Sequence, residues 1–439
     1  MASQRVLTGI TTSGTPHLGN YVGAIRPAVS ASLAPTTESY FFLADYHALV
    51  KVQDPARVQR STLEIAAAWL ACGLDPDRVW FYRQSDIPEI PELTWLLTCI
   101  AGKGLLNRAH AYKAAVDRNR DAGEDGDAGV TAGLFMYPVL MAADILLFKA
   151  HKVPVGRDQV QHIEMARDFA QRFNHLYGAP LGRDYFTLPE ASVEEQVATL
   201  PGLDGRKMSK SYDNTIALFA PRADLKKLIA SIVTDSRAPG EAKDPAGSAL
   251  FEIYQAFAST EETAAMRQAY ADGIAWGDAK QALFERIDAE VAPLRERYQA
   301  LVAHPNRIEQ QLRDGAQRLR ARHATPFLRE LRDAVGLRDL GSTPASGSSS
   351  SRAAKPALPV FKQYREADGR FHFKLVDAER VLLQSRGFDS PKDAGQCVAA
   401  LKREGFAAED ADVMLGEGAD AAAVAAALLA LRAAEDGKA

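Results

Sequence analysis

Short apolar segments alternate with helical patterns at the N-terminal end of the chain. Residues 5–10, 39–44 and 79–83 are rich in β-prone residues, and residues 62–71 have the pattern of a buried amphipathic helix. Strands that alternate with helices predict a doubly wound parallel sheet. In such sheets ligands bind beyond the carboxyl ends of the strands, and His17 and His47 follow the first two predicted strands there.

The middle of the chain is predicted to be largely helical. Residues 90–130 have the pattern of an inserted helical region, although the acidic, glycine-rich stretch 117–127 favours a loop. Helices are predicted over 134–148 and 158–173, a short strand over 153–156, and nearly continuous helix from 250 to 337. We therefore predict an α/β, Rossmann-like domain over residues 1–225, with a helical insertion at about 85–180, and an α-helical domain over 226–339.

The C-terminal part of the chain differs in composition. Residues 340–358 are rich in serine, glycine, proline and alanine, which is typical of a flexible linker. Residues 361–383 alternate like a hairpin around Asp368-Gly369, and residues 390–403 and 419–434 have helical patterns. We expect a small, separate α+β domain over residues 359–439, which is long enough to fold as one unit.

Charge and cysteine usage exclude several classes of protein. With 52 basic and 56 acidic residues the net charge is −4, which is unlike a protein that coats nucleic acid, although local basic patches can still bind RNA. Cys72, Cys99 and Cys397 are far apart and favour neither a zinc site nor a disulfide framework, so we expect a reducing compartment. We see no secretory signal and no apolar run long enough to cross a bilayer.

Two lysines lie in a polar segment after a glycine. The segment 205–214 reads GRKMSKSYDN and contains Lys207 and Lys210. Lysine ammonium groups in a mobile loop suit a reaction in which negative charge builds up and departs. A lysine pair alone favours a solvated basic loop, but the full sequence Lys-Met-Ser-Lys-Ser resembles the lysine loop of class I aminoacyl-tRNA synthetases.

A second motif, His17-Leu18-Gly19-Asn20, stands at a predicted helix start. A helix N-terminus offers free N–H groups and a positive dipole end, which suit phosphates. Glycine at position 19 allows a nucleotide to approach the backbone. The alternative for His17 is a capping role at the helix start. That alternative is favoured for the histidine alone and disfavoured once the lysine loop is considered with it.

Asp144 interrupts an apolar helical segment. Burying a carboxylate without a partner is costly, so it could instead face solvent or pair with Lys149. The functional alternative is a buried acceptor for a donor-only ligand group such as an indole N–H. Such a site rejects phenylalanine, which leaves the carboxylate unpaired at a cost of about 1–3 kcal/mol. Around it, Tyr137 and Gln159 could hold an α-amino group.

Other residues near this segment have weaker signals. Val153 and Val155 could supply apolar walls, although ordinary packing is the better interpretation of either valine alone. His47 could reach the same pocket or face solvent after its strand. We see no Ser-His-Asp ordering, no metal-ligand cluster and no Walker glycine loop. Direct attack of a carboxylate on a phosphate, driven by positioning and electrostatics, needs none of these.

With these motifs in place, residues 1–337 resemble the bacterial tryptophanyl-tRNA synthetases, class I synthetases of the tryptophan/tyrosine subgroup. The matching stretches are TSGTPHLGNYVGAIR, DYHAL, GLFMYPVLMAADILL, KVPVGRDQVQHIEMARDFAQRFN, RKMSKSYDN and SIVTDS. The resemblance implies a cytoplasmic enzyme that activates L-tryptophan with ATP and Mg²⁺ and esterifies tRNA(Trp). It also implies a homodimer joined through the inserted helices, and anticodon recognition by the helices from about 230 to 337.

The resemblance also implies roles for individual residues. Asp144 would bind the indole N–H and Tyr137 and Gln159 the α-amino group, in a tryptophan site that also includes His47, Met141, Val153, Val155 and Leu7. His17, Lys207 and Lys210 would be catalytic. The ATP site would comprise Thr11, Thr12, Ser13, His17, Gly19, Asn20, Gly156, Asp158, Lys207, Met208, Ser209, Lys210 and Ser211.

The sequence departs from the family pattern in places. Thr11-Thr12 stands where many members have Gln-Pro, and Arg157 stands where an acidic residue is usual. The tail 355–439 lies outside the shared region and resembles a small bacterial domain of unknown function. Two other functions stay open: the tyrosine-specific counterpart, and a relative that binds RNA or nucleotide without aminoacylating. The intact His17 and both loop lysines argue against the second.

Overall fold

The computed structural model describes residues 4–12, 15–193, 200–338, 340–341, 358–366, 369–377, 380–407 and 411–436. The chain forms two compact units, residues 1–342 and 343–439. Most of the predicted linker at 340–358 lies outside the described residues, as do Ser13 and Asp368. Among the described residues, no helix has the length and apolar character needed to span a membrane.

Unit 1 is built on a five-stranded sheet in which every paired strand is parallel. Its strands are β1 (Gln4–Ile10), β2 (Thr37–Leu43), β3 (Trp80–Arg83), β4 (Lys152–Pro154) and β5 (Glu190–Ser192), in the order β3-β2-β1-β4-β5. The predicted strands at 5–10, 39–44, 79–83 and 153–156 are therefore confirmed within one or two residues, and so is the Rossmann-like fold.

Fifteen helices are described in unit 1. They are α1 (Leu18–Asn20), α2 (Arg26–Ser32), α3 (Asp45–Ala48), α4 (Pro55–Ala71), α5 (Glu89–Thr98), α6 (Lys103–Leu106), α7 (His110–Asp121), α8 (Ala132–Leu147), α9 (Val160–Phe173), α10 (Arg222–Ala230), α11 (Ala249–Phe257), α12 (Thr260–Ala271), α13 (Trp276–Val302), α14 (Pro305–Leu319) and α15 (Thr325–Ala334). Single π-helical turns, Tyr21–Ile25 and Arg320–Ala324, join α1 to α2 and α14 to α15.

One helix extends further than the sequence indicates. Residues 117–127 were expected to be a loop, but α7 continues to Asp121. The helix ends before Gly123, which has a φ of +75°. Arg118 and Arg120 lie in the last turn, where basic side chains favour the negative end of the helix dipole. The glycine signal was therefore correct, but it marks the end of the helix rather than a loop that begins at residue 117.

The sheet is buried on both faces, as parallel sheets usually are. Along β2, Phe41 and Leu43 join one hydrophobic cluster, whereas Tyr40 and Phe42 join the cluster on the other face. The C-terminal helices of unit 1 pack directly against this sheet. A Cβ atom on Gly315 of α14 would lie 1.9 Å from the carbonyl oxygen of Phe81, so only glycine allows this helix to approach β3 so closely.

The described residues of unit 2 form a four-stranded antiparallel sheet with two helices. The strands are β6 (Val360–Arg365), β7 (Phe371–Asp377), β8 (Arg380–Ser385) and β9 (Val413–Leu415), in sequence order, and the helices are α16 (Pro391–Glu404) and α17 (Ala421–Asp436). The predicted hairpin corresponds to β6 and β7, which pair from Val360–Val376 to Arg365–Phe371. Its predicted second arm is in fact two strands, because β8 folds back on β7.

Candidate active site

A cavity of about 740 Å³ opens beside the carboxyl ends of β1 and β2, next to α8. All eight residues that the sequence assigned to the tryptophan site line it: Leu7, His47, Tyr137, Met141, Asp144, Val153, Val155 and Gln159. Thr11 and Gly156, which were assigned to the ATP site, line it as well. The cavity wall is therefore mainly apolar, with a few polar groups placed among aliphatic and aromatic side chains, as in most small-molecule sites.

Asp144 is the most deeply buried of these polar groups. It is 0% exposed, within the apolar helix α8. The Nε2 amide of Gln84 lies 2.9 Å from both of its carboxylate oxygens, and Nε2 of His47 lies 2.9 Å from Oδ2. Asp144 therefore does not face solvent, so the first alternative is wrong. The second alternative, an ion pair with Lys149, is also wrong, because the Lys149 ammonium group lies over the ring of Phe327.

Burial and hydrogen bonding act on Asp144 in opposite directions. Burial raises the pKa of the carboxyl group, because the charged form loses its hydration, and the hydrogen bonds from His47 and Gln84 partly offset that rise. A carboxylate has about four lone-pair positions, so the contacts with Gln84 and His47 leave capacity for one more donor. The group can therefore accept a hydrogen bond from a ligand in the cavity.

Gln84 was missed by the sequence analysis. It is fully buried and follows β3 directly. Its Oε1 accepts from the backbone N–H of Tyr46 at 3.1 Å, which orients the amide so that its nitrogen points at Asp144. Its position at the carboxyl end of a parallel strand was the available signal, since ligand-binding residues concentrate there.

The cavity also contains a cluster of three hydrogen-bonded polar side chains, those of Tyr137, Gln159 and His162. The hydroxyl of Tyr137 lies 2.8 Å from Oε1 of Gln159 and 2.9 Å from Nδ1 of His162. His162 is also 3.0 Å from Oε1 of Gln159. The sequence analysis identified the first two residues and missed the histidine, which lies on the first turn of α9. These hydrogen bonds fix the phenol and amide groups that the sequence assigned to an α-amino group.

His17 caps the helix that begins at Leu18. Its Nδ1 accepts from the backbone N–H of Asn20 at 3.3 Å, while the Asn20 side chain accepts from the His17 backbone N–H. The predicted alternative role of His17, capping the helix start, is therefore confirmed. Burial, and then the positive charge of Lys210, lower the pKa of His17 to about 4. The imidazole is therefore neutral near pH 7, and because Nδ1 accepts, its proton is on Nε2.

The lysine loop is held at its two ends and presents its lysines to solvent. Met208 is 4% exposed, whereas Lys207 and Lys210 are exposed. Asn214 closes the loop: its amide donates to the backbone carbonyl of Lys207 at 3.1 Å, and its Oδ1 accepts from the N–H of Ser209 at 2.8 Å. Asn214 was not assigned a role from sequence. Its ability to bond nearby backbone groups is the property that makes asparagine common in turns.

The two motifs lie side by side in the structure. The backbone N–H of Leu18 donates to the carbonyl of Ile216 at 2.9 Å, just after the lysine loop, and His17 forms an isolated β-bridge with Ala217. A Cβ atom on Gly19 would lie 3.7 Å from Cβ of Met208. The sequence-distant histidine and lysine motifs therefore share one surface, with a helix N-terminus and two cations available to a polyphosphate.

The remaining predicted ATP-site residues are only partly described. Thr12 is 1% exposed, and its hydroxyl has no hydrogen-bond partner among the described residues. Ser13 and the side chains of Asp158 and Ser211 lie outside the described part of the structure. Arg157 is exposed.

Comparison with known proteins places this arrangement in a family. Residues 2–292 match the family described as tRNA synthetases class I (W and Y). The match covers more than half of the chain, which therefore belongs to this family.

Within the family, the chain is similar to bacterial enzymes named tryptophan--tRNA ligase. It is 71% identical to that of Xanthomonas axonopodis pv. citri, over 94% of this chain and 96% of the relative, and 63% identical to that of Pseudomonas aeruginosa, over 93% and 90%. Among solved structures, the tryptophanyl-tRNA synthetase of Campylobacter jejuni, complexed with ADP and tryptophan, matches with a TM-score of 0.69 and 41% identity. That match covers 76% of this chain and 100% of the Campylobacter chain.

Proposed function

We propose that the chain is a tryptophan--tRNA ligase, which activates L-tryptophan with ATP and transfers it to the terminal adenosine of tRNA(Trp). The observation that carries this proposal is the high identity to tryptophan--tRNA ligases over nearly the full length of both chains. The cavity with its buried acid supports the same substrate. Tryptophan carries one side-chain donor and no acceptor, and Asp144 is a buried acceptor in an otherwise mainly apolar wall.

Amino-acid selection follows from the placement of the polar groups. In this proposal Asp144 accepts the indole N–H, while the Tyr137 hydroxyl and the Gln159 amide orient the α-amino group. Met141 and Val153 contact the ring system from the apolar wall. Because Gln84 and His47 already hold the Asp144 carboxylate in place, little reorganisation is needed when the indole arrives.

The activation step needs positioning and charge rather than a covalent intermediate on the protein. A carboxylate oxygen of tryptophan attacks the α-phosphorus of ATP, the bond from that phosphorus to the bridging oxygen breaks, and pyrophosphate leaves. The neutral His17 donates from Nε2 to the phosphates, and Lys207 and Lys210 stabilise the charge that develops on the leaving group. In the second step a ribose hydroxyl of the tRNA attacks the carbonyl carbon and AMP leaves.

Mg²⁺ is expected with ATP. No group of three or more His, Cys, Asp or Glu side chains that could hold a metal ion is found in the described part of the chain. Mg²⁺ commonly stays bound to substrate phosphates and water and makes few protein contacts. In this proposal it therefore enters as the metal complex of ATP, and the residues of this chain act on the nucleotide itself.

Three wider assignments belong to the same proposal. A homodimer joined through the inserted helices is supported by Trp95 of α5, which is 66% exposed in that region, since exposed tryptophans are common at interfaces. A cytoplasmic location is supported by the free thiols of Cys72 and Cys99. Anticodon recognition is assigned to the helices α11 to α15, and the domain boundary near residue 225 stays a prediction.

The decisive test is amino-acid-dependent pyrophosphate exchange, measured separately with tryptophan and tyrosine. We expect exchange with tryptophan and only background exchange with tyrosine, because a phenol is smaller than an indole and carries its donor at a different position, so it does not meet both Asp144 and the apolar wall as the indole does. Aminoacylation of a tRNA(Trp) transcript should follow the same specificity. Exchange with tyrosine and none with tryptophan would refute the proposal.

A further inference from the structure

The sheet of unit 2 has one face covered by α16 and α17 and one face that no helix among the described residues covers. Phe373, Leu375 and Leu383 point into the core shared with α16 and α17. Side chains alternate along a strand, so the intervening residues point to the other face. We call this the open face and define it by Lys362, Tyr364, His372, Lys374, Gln384 and Met414.

The open face has an ordered arrangement of side chains. Lys362, Lys374, Gln384 and Met414 are register neighbours and form one row across all four strands. Tyr364 and His372 are directly opposite each other in the adjacent row. Met414, at the end of the first row, is 63% exposed, so the face is accessible from solvent on that side.

The positions of the two lysines lower the stability of the sheet, which suggests that they have a role other than folding. Lys362 and Lys374 are directly opposite each other on neighbouring strands, and like charges in that position destabilise the pairing. Neither ammonium group forms an ion pair with a carboxylate of the described residues. The acidic residue Glu366 faces His372 instead, at 3.7 Å. A negatively charged partner would relieve the repulsion between the lysines.

An aromatic platform lies next to the lysines. The rings of Tyr364 and His372 are stacked, with centroids 5.6 Å apart and an angle of 21° between planes. Nζ of Lys374 lies 5.5 Å from the centre of the tyrosine ring. The Tyr364 hydroxyl accepts from the amide of Gln384 on β8 at 2.9 Å, so the ring extends from β6 across β7. A fixed aromatic ring beside cations on an open sheet is a common arrangement for binding unpaired nucleotides.

We propose that the open face binds unpaired nucleotides of the tRNA that the enzyme aminoacylates. Tyr364, whose ring is stacked on the buried His372, stacks on a base, and Lys362 and Lys374 contact phosphates. This inference rests on the proposed function, which supplies a tRNA as the substrate of the same chain. Covalent attachment to unit 1 raises the effective concentration of a bound tRNA at the open face, so that weak contacts there suffice to increase affinity.

The test uses the full-length chain with paired variants. Tyr364→Ala removes the ring, Tyr364→Phe keeps it, and the double variant Lys362→Ala/Lys374→Ala removes both cations. Lys392→Ala is the matched control, because Lys392 is an exposed lysine of α16 outside the open face. Aminoacylation is measured over a range of tRNA(Trp) concentrations and of salt, and pyrophosphate exchange is measured without tRNA.

We expect the KM for tRNA to rise about fivefold or more in Tyr364→Ala, from the loss of base stacking, and to change little in Tyr364→Phe. In the double lysine variant KM should also rise, and its logarithmic salt dependence should weaken by about 1.4 units, since two contacts with single-stranded phosphates are lost. Exchange without tRNA should be unchanged in every variant, and Lys392→Ala should match the wild type.

A KM for tRNA equal to that of wild type in both Tyr364→Ala and the double lysine variant would overturn the inference, and so would an equal rise in Lys392→Ala. Altered oligomeric state with an unchanged KM would assign the open face to contacts between copies of the chain and would also overturn it. If wild-type protein gave no tryptophan-dependent exchange, the proposed function would fail. Filter binding of the same tRNA by wild type and Tyr364→Ala would still decide the role of the face.

Discussion

Nε2 of His47 lies 2.9 Å from Oδ2 of Asp144, at the wall of the active-site cavity. The contact joins α3, at the carboxyl end of β2, to the apolar helix α8. On its other side Asp144 accepts from Gln84, which follows β3. Three separate elements thus hold one carboxylate, so its position in the cavity is fixed by the fold rather than by the local helix sequence.

Replacing Asp144 by Asn should weaken tryptophan binding selectively. Asparagine keeps the volume but replaces one acceptor oxygen by a donor, which faces Gln84, His47 or the indole N–H. We expect the KM for tryptophan in pyrophosphate exchange to rise about tenfold to a hundredfold, the effect of an unpaired buried donor, with the KM for ATP little changed. Asp86→Asn is the control, since Asp86 pairs with Arg83 and does not line the cavity. An unchanged KM for tryptophan in a folded Asp144→Asn protein would remove Asp144 from the site.

Replacing Lys210 by Ala should slow adenylate formation with little change in tryptophan affinity. The exposed ammonium group lies close enough to His17 to lower the pKa of that imidazole, so it can act on the same polyphosphate. Loss of a donor aimed at developing charge typically lowers the rate about a hundredfold or more. The measurement is single-turnover formation of the adenylate at saturating tryptophan. Lys227→Ala, an exposed lysine of α10 paired with Asp224, is the control, and equal rates in the two variants would show that the loop assignment is wrong.

His17 should make the stability of the ligand-free protein depend on pH in a defined range. Its pKa is lowered from 6.5 to about 4 in the folded state, first by burial and then by Lys210. The unfolded chain takes up this proton near pH 6.5 and the folded chain only near pH 4. The stabilising contribution is therefore present above pH 6.5 and is lost as the pH falls from 6.5 towards 4.

His17→Asn isolates that contribution, because asparagine can keep the capping acceptor but does not titrate. The free energy of unfolding, measured by urea titration at several pH values from 7.5 to 4.5, should fall more steeply with acid for wild type than for the variant. The other histidines are common to both proteins and cancel in the difference. A difference that stays constant over this range would mean that His17 takes up its proton equally readily in both states.

The sequence was sufficient for those features that have a periodic or motif signal. Apolar runs gave β1 to β4, and the acid within an apolar helix correctly indicated that Asp144 is buried. Gln84 and His162 were missed, because each acts through a contact with a residue on another element. Asn214 was missed although its bonds to Lys207 and Ser209 are local, because asparagine in a polar loop is common. A single polar residue after a strand or on a helix has no pattern that distinguishes such a contact from solvation.

The open face of unit 2 could not be predicted from the sequence either, because it depends on strand register. Lys362 and Lys374 are unremarkable in an alternating sequence, and their direct opposition depends on the pairing of β6 with β7. A slip of one residue would move the side chains of one strand to the opposite face. The sequence indicated the strands but not which side chains face each other across them.

Removing residues 342–439 should leave tryptophan activation intact. The chain divides into two compact units at this point, and every residue that we assign to the tryptophan and ATP sites belongs to the first. The Campylobacter jejuni enzyme matches this chain over its whole length while covering only 76% of it, so an enzyme without an equivalent of the remainder forms the same fold. The truncated protein should therefore show wild-type kcat and KM for tryptophan and ATP in pyrophosphate exchange.

Circular dichroism and thermal unfolding establish that it is folded, and loss of exchange in a folded truncation would show that unit 2 contributes to the activation step itself. If the open face binds tRNA, the same truncation should raise the KM for tRNA(Trp) in aminoacylation at least as much as Tyr364→Ala does, which separates the two roles within one protein.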